Sequence, residues 1–351
     1  MRKKIVAFLI FFIIFFAVYP VFRTDSEVKR SVFSYFSPVI DGLCDPNYWN
    51  DSLILSFHFG SLYFKNNREN LFVLIDFIQD TGNDKTTVMP RNEDSFELII
   101  DWDGNYKITP GIDRMYTLSR KEEKRLIYRY YNGKVAFSSD YYSSGKATPG
   151  FSTTMKNKIP HRFYECMIPL SEVKKDTQGY VLFGVKLFSK NPNLSFEEPN
   201  NLYEDLTLLH SFDVADADRK IQLDFSIGSR KMSVNSLPIT MDVEPFLFQK
   251  RAYIPSRYVI EPFGGYFEWN EKERRLVIMI KDKIVEFKIN DPYAYINGKK
   301  TIIDKFNHSI VPLLIPPGRV FVPMRFLAEV INCKVKWDSK EQLISLIYES
   351  S

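Results

Sequence analysis

The chain has 351 residues, 45% of them hydrophobic and 15% aromatic, which leaves room for a leader and two domains that each bury a core. Its 47 basic and 43 acidic residues give a net charge of +4, too balanced for a nucleic-acid partner held on a basic face. Cys44, Cys166 and Cys333 lie far apart without motif spacing, which excludes a disulfide framework but leaves a Cys44–Cys166 bridge open.

The first element is a leader, assigned to residues 1–30. "MRKK" precedes an uncharged apolar run of 18 residues, Ile5 to Phe22. Such a run is an export signal or a short membrane anchor. Ala17 is followed by Val18, Tyr19 and Pro20 rather than a small-x-small cleavage site, so both readings stand. The expected location is outside the cytoplasm, secreted or anchored at the outer face of the cell membrane or wall, with the membrane as a partner if the leader is uncleaved.

Residues 38–218 come next. Alternation of apolar and polar residues marks strands in "LILSFHF" (Leu53 to Phe59), "LFVLIDF" (Leu71 to Phe77), "SFELIID" (Ser95 to Asp101), "RFYECMI" (Arg162 to Ile168) and "YVLFGVKLF" (Tyr180 to Phe188). Many short strands separated by Gly, Asn and Asp, with no long amphipathic helix, predict an antiparallel β-sandwich. Within "DWDGN", Trp102 stands at a strand end among polar residues and reads either as a ligand platform or as a loop residue. The same loop places Asp101, Asp103 and Asn105 at alternate positions beside a Gly, the oxygen-rich spacing of hard cations. Position 112 is Ile, so this is no EF-hand. A structural Ca²⁺ completed by Asp80 or Asp84 and a plain Asp-Gly turn are the two readings. The tyrosine-rich stretch from Tyr128 to Gly145 offers Tyr131, Tyr141 and Tyr142 as aromatic faces for a ligand, or else as one half-exposed strand, and Tyr203 is a weaker candidate.

Five stretches in order carry a resemblance. "VIDGLCDPNYWND", "LFVLIDFIQD", "DSFELIIDWDGN", "FYECMIPLSEV" and "YVLFGVKLFSKN" resemble the family 9 carbohydrate-binding module and its wider sandwich superfamily. The resemblance implies a sandwich that holds sugars, with Trp49 in its core. Distant superfamily members hold haem, whose axial ligands here would have to come from scattered residues such as His58 and Met115.

The last unit, residues 220–348, is a duplication with copies at about 220–290 and 291–348. "RAYIPSRYV" (Arg251 to Val259) returns as "RVFVPMRFL" (Arg319 to Leu327), and the offset is 68 for the arginines, the prolines and the tryptophans Trp269 and Trp337 alike. Each copy reads as a strand closed by Pro, a short helix and a further strand. Pro262 cuts the first helix to about a turn, whereas Phe326, Leu327, Val330 and Ile331 share one face of the second. Phe267 and Trp269, or Val335 and Trp337, alternate and are expected in the core, and the arginines are expected to tie turns to carbonyls or to Glu261 and Glu329. This unit resembles the stalk domain called the copper amine oxidase N-terminal-like domain, with its NG, R-x-[LF]-V-P-[LM]-R-[FY] and V-x-W-[DN] signatures. The first copy departs at Ser236 and Pro262. The resemblance implies shape and no copper chemistry, and His58, His161, His210 and His308 show no paired spacing.

The expected fold class is therefore mainly β: an N-terminal apolar leader helix, an antiparallel β-sandwich and a small duplicated α+β stalk with short helices. No nucleophile elbow, zinc-protease or phosphate-loop motif is present, so no enzyme is expected. The expected function is saccharide binding by the sandwich, with polysaccharide or cell-wall polymer as partner and the stalk positioning it. A structural surface protein without ligand and a haem-binding sandwich are the alternatives.

Overall fold

The computed structural model describes residues 29–83, 94–118, 125–130, 140–173, 180–203, 206–216, 218, 220–280 and 282–349. The apolar run of the leader lies outside the described residues, and no described helix is long and apolar enough to cross a membrane.

In chain order the first unit contains β1 (Val32–Phe33), α1 (Pro46–Trp49), β2 (Leu53–Phe57), β3 (Gly60–Asn66), β4 (Asn70–Phe77), β5 (Ser95–Asp101), β6 (Arg114–Leu118), β7 (Leu126–Tyr130), β8 (Tyr141–Tyr142), β9 (Lys146–Ser152), β10 (His161–Pro169), β11 (Tyr180–Ser189), β12 (Leu194–Glu198) and β13 (His210–Asp213). One sheet runs β1-β3-β4-β10-β9, with β2 beside β3, and the other runs β12-β11-β5-β6-β7-β8. The outer edge of β11 is shared, β13 taking Tyr180 to Phe183 and β12 taking Val185 to Ser189.

The two sheets face each other across a core of alternate residues, among them Phe64, Val73, Ile75, Tyr164 and Cys166 from one and Leu98, Ile100, Tyr116, Phe183 and Val185 from the other. Both outer faces are covered as well. Ile40, Cys44 and Trp49 pack on Tyr63, Phe72 and Leu74, and Leu202, Leu206 and Leu209 pack on Ile99, Met115 and Leu182. Double coverage explains why β3 is buried at every position. Trp49 is fully buried, as expected, and its indole N–H donates to Glu165 Oε1 at 3.0 Å. Cys44 and Cys166 are both buried and free, so the bridge left open by the sequence is not made.

The second unit contains β14 (Lys220–Ser226), β15 (Lys231–Val234), β16 (Leu237–Thr240), β17 (Phe246–Phe248), β18 (Arg251–Pro255), α2 (Arg257–Ile260), β19 (Tyr266–Asn270), β20 (Arg275–Ile280), β21 (Lys283–Lys288), β22 (Tyr293–Ile296), β23 (Lys299–Ile302), β24 (Leu313–Ile315), β25 (Arg319–Pro323), α3 (Met324–Val330), β26 (Lys334–Asp338) and β27 (Leu343–Glu349). The first helix is a single turn ending before Pro262, as expected, and the second runs for nearly two turns. The hairpin turns also correspond: Asn297 and Gly298 both take positive φ, and Asn235 and Ser236 repeat that conformation, so the first copy keeps the turn with Ser at the Gly position.

The repeated motif forms the centre of this unit. β18 pairs antiparallel with β25 so that Ile254 faces Val322, its own counterpart 68 residues on, with Tyr253 facing Pro323 and Pro255 facing Phe321. A pseudo-twofold axis therefore runs through the Ile254–Val322 pair. Around it the copies exchange their ends: β21, at the end of the first copy, joins β22 of the second, and β27 of the second returns to pair with β14 of the first. The sheets β16-β15-β14-β27-β26 and β23-β22-β21-β20-β19 each combine strands from both copies. Arg251 pairs with Asp304 and Arg319 with Asp242, each reaching into the other copy.

Two expectations fail here. Trp337 is 50% exposed, Val335 and Phe267 are also exposed, and Trp269 is only half-buried. These side chains do lie on the core-side face, opposite buried Ile344, Leu346, Leu276 and Ile278, but β26 and β19 are edge strands that no layer of the described residues covers from the other side. The arginines also diverge. Arg257 pairs with Glu261 at 2.8 Å, as expected, whereas Arg325 and Glu329 are both exposed. The difference arises because Tyr35 and Phe36 pack into the core of the second unit, Phe36 against Tyr258, while Tyr48 and the Ser37 backbone lie against the Arg257–Glu261 pair.

Candidate functional site

β6, β7 and β8 close one edge of the second sheet, and their register lines up a row of aromatic rings. Tyr116 faces Tyr128, which faces Tyr141, while Arg114 faces Tyr130. Strand alternation puts all five on the core-side face. Exposure rises outward along the row: Tyr116 is buried, Tyr128 and Tyr130 are half-buried, and Tyr141 is 41% exposed. Tyr141 stacks on Tyr128 with centroids 5.5 Å apart and meets Tyr130 edge-on at 5.0 Å. The Arg114 guanidinium lies 4.8 Å from the Tyr128 ring and 5.0 Å from the Trp102 ring, so it bridges the two.

One carbonyl anchors this ladder. Glu172 O accepts from Trp102 Nε1 at 3.0 Å, Arg114 Nη1 at 2.6 Å and Tyr116 Oη at 3.0 Å. The Glu172 carboxylate accepts from Ser143 Oγ at 2.8 Å and from the Ser144 amide and hydroxyl at 3.0 and 2.9 Å. The loop after β10 thus holds the "DWDGN" loop on one side and the start of the β9 hairpin on the other. Burial, and then the neighbouring Tyr130, raise the Tyr128 phenol, which keeps it a neutral hydrogen-bonding group.

The structure redistributes the sequence candidates. Trp102 is half-buried, covered on one side by Arg114 and with its N–H committed, so it is a wall of the site rather than a free platform. Tyr141 is in the row. Tyr142 is exposed but faces Ile127 on the opposite side of the sheet, where Arg125 lies 3.8 Å above its ring. Tyr131 lies outside the described residues. Arg114, Tyr128, Tyr130 and Glu172 were missed, although alternation within "LIYRY" already places Tyr128 and Tyr130 on one face. Tyr203 is engaged elsewhere, bonded to Glu97 with Lys186 Nζ 4.8 Å from its ring.

Next to Trp102, carboxylate oxygens of Asp101, Asp103 and Asp113 lie within 4.8 Å of one another. Asp101 accepts from the Gly104 and Tyr106 amides, both at 2.8 Å, and Asp113 from the Trp102 and Thr109 amides at 3.0 and 2.7 Å. Burial pushes Asp113 up to about 6 and also raises Asp101, in each case against the pull of those amides. Three acidic oxygens converging in a turn suit a hard cation. The third carboxylate is Asp113, which the sequence reading overlooked. Asn105 instead donates to Asp103 at 2.9 Å and Thr109 at 2.8 Å, and Asp80 is buried beside Arg162 and Asp94, outside this cluster. Asp84 lies outside the described residues.

Other chemistry-bearing groups are structural. His161 is fully buried, with Nε2 2.6 Å from Asp76 Oδ1 and Nδ1 2.6 Å from the Ile159 carbonyl. Burial pulls its pKa down, but these acceptors outweigh it and the net direction is upward. His58 is exposed against Phe59 and Phe196, while Met115 is buried on the outer side of the other sheet, so they are not brought together.

Residues 213–278 and 233–346 match the family described as copper amine oxidase N-terminal domain. The duplicated unit is similar to that domain. Among solved structures, a family 9 carbohydrate-binding module from Caldicellulosiruptor kristjanssonii in complex with cellotriose is similar at 17% identity and a TM-score of 0.35, over 54% of this chain and 95% of the module. The same module in complex with glucose gives 17% identity and a TM-score of 0.35, over 54% of this chain and 97% of the module. No curated protein sequence matches.

Proposed function

We propose that this chain is an exported, non-catalytic surface protein whose sandwich binds a saccharide along the Trp102–Arg114–Tyr128–Tyr141 ladder, with the duplicated unit as the stalk that positions it or docks it to wall polymer. The observation that carries the reading is the row of tyrosines on one face, graded from buried to 41% exposed and flanked by Arg114 and the serines around Glu172. Sugar recognition needs this combination, because a ring's C–H face packs on an aromatic plane while planar polar groups take its hydroxyls. The five ordered motifs and the uncharged leader run support the sandwich assignment and the export.

Glycan-array binding followed by calorimetry tests the reading, with cellotriose and glucose in the panel. Tyr141→Ala and Tyr130→Ala should each weaken binding by about 1–3 kcal/mol, roughly 5- to 150-fold, with stability changed by no more than about 1 kcal/mol. Full affinity in both variants moves the site elsewhere, and absence of any glycan binding at millimolar concentration favours the ligand-free structural reading. Fractionation tests the export: recovery of the full-length chain from the cytosol removes it.

Asp101, Asp103 and Asp113 are proposed to hold a structural Ca²⁺ that stiffens the loop under Trp102. Calcium should raise the melting temperature of the wild type and not that of Asp103→Asn. Equal response of the two proteins removes the site.

A further inference from the structure

The exposed core-side residues of β19 and β26 have no explanation within the monomer. Each strand ends its sheet, and no strand pairs with its outer side among the described residues. Each presents an apolar pair on the face that continues the core: Phe267 and Trp269 on β19, Val335 and Trp337 on β26. On the other face each has a charged residue at its centre, and these residues are 68-residue counterparts of opposite sign, Glu268 and Lys336. Both are exposed.

We propose that β26 of one molecule pairs antiparallel with β19 of the next, so that copies of this chain assemble head to tail through their stalk units. Centred on Lys336 opposite Glu268, the pairing sets Val335 against Trp269 and Trp337 against Phe267. The half-covered aromatics then close into one cross-strand cluster, and the central charges attract. Self-pairing is disfavoured by the same residues. Two β26 strands centred on each other oppose Lys336 to Lys336, and two β19 strands oppose Glu268 to Glu268; a charge on an edge strand blocks like edges in this way. The pseudo-twofold axis sets the two edges on equivalent outer positions of the unit, one occupied by each copy of the repeat. A contact joining different surfaces on successive molecules propagates rather than closing at a dimer.

Five paired residues bury less than a stable standard-size interface, so each contact is weak, and assembly depends on the high local concentration of chains held at one surface. Neither the pairing nor its test depends on the sugar reading.

The test is sedimentation velocity of the full chain across a concentration series reaching the high micromolar range, in a mild detergent that solvates the leader. Wild type should show a concentration-dependent ladder of species. Lys336→Glu alone and Glu268→Lys alone should each weaken association about tenfold or more, because each sets like charges face to face. The double variant Lys336→Glu/Glu268→Lys should recover it, and so should an equimolar mixture of the two single variants. Circular dichroism on each variant confirms that these exposed substitutions leave the fold intact. A single non-associating species for wild type overturns the proposal. So does a Glu268→Lys variant that associates like wild type, or a double variant that stays dissociated.

Discussion

Asp80 offers a test of what burial does to a carboxylate in this sandwich. It is fully buried, with Arg162 Nε 3.9 Å from its Oδ2 and Asp94 on the other side of that guanidinium. The Ser189 hydroxyl and the Gly82 amide approach its oxygens, but among the described residues neither oxygen has a partner within ordinary hydrogen-bond geometry. Burial, and then the Asp94 charge, push its pKa from the ordinary 3.8 up to about 6, with Arg162 pulling only partly back. A group raised in the folded state favours folding at low pH, and that contribution is lost as pH rises from about 4 through about 6. The displacement corresponds to on the order of 3 kcal/mol as an upper bound. Asp80→Asn keeps the shape and removes the charge. Arg162 keeps its 2.9 Å contact with Asp94, so its buried charge stays paired when the 3.9 Å contact to position 80 is lost. The variant should therefore be more stable than wild type at pH 8 by about 1–2 kcal/mol and no more stable at pH 4.5. Urea unfolding of both proteins between pH 4.5 and 8 measures this. A variant less stable than wild type at pH 8, with the difference vanishing at pH 4.5, would falsify the argument by showing that Arg162 outweighs desolvation.

Three further outcomes are expected. Ile254→Ala, at the fully buried centre of the pseudo-twofold, should cost about 2–5 kcal/mol in denaturant unfolding, and its effect should not add to that of Val322→Ala because the two residues face each other. Trp337→Ala should cost less than Trp269→Ala, staying within about 1 kcal/mol in the monomer, because half of the Trp337 side chain is already in water; a loss of several kcal/mol would place it in a core. Cys44, whose thiol burial pushes up to about 12, and Cys166, raised further, should resist thiol reagents in the folded protein and react fully once unfolded. A mass deficit of two hydrogens in the unreduced chain would instead reveal a bridge.

Much of the fold was legible because alternation is local. "SFELIID" coincides with β5, and "RFYECMI" and "YVLFGVKLF" fall within β10 and β11. The site was legible only in part. Alternation puts Tyr128 and Tyr130 on one face, but Tyr141 joins them only through the pairing register of β8 on β7, and Arg114 and Glu172 reach Trp102 from β6 and from the turn after β10. A spacing rule for cations selects alternate positions in one loop, so it offered Asn105 and passed over Asp113, which folds back on Asp101 from the start of β6.

By itself the sequence determined the alternating strands, the one-turn first helix, the Asn-Gly hairpin turn and the 68-residue register, since each is a matter of backbone sterics, side-chain period or chain length over a few residues. Tertiary structure decided which faces are covered. Trp269 and Trp337 share the core-side face that alternation assigns them, yet no described layer closes over either edge strand, and Arg257 is half-buried while Arg325 is bare because the segment around Tyr35 and Phe36 packs on one copy alone. Burial is a property of what arrives from elsewhere in the chain, and no local period carries that information.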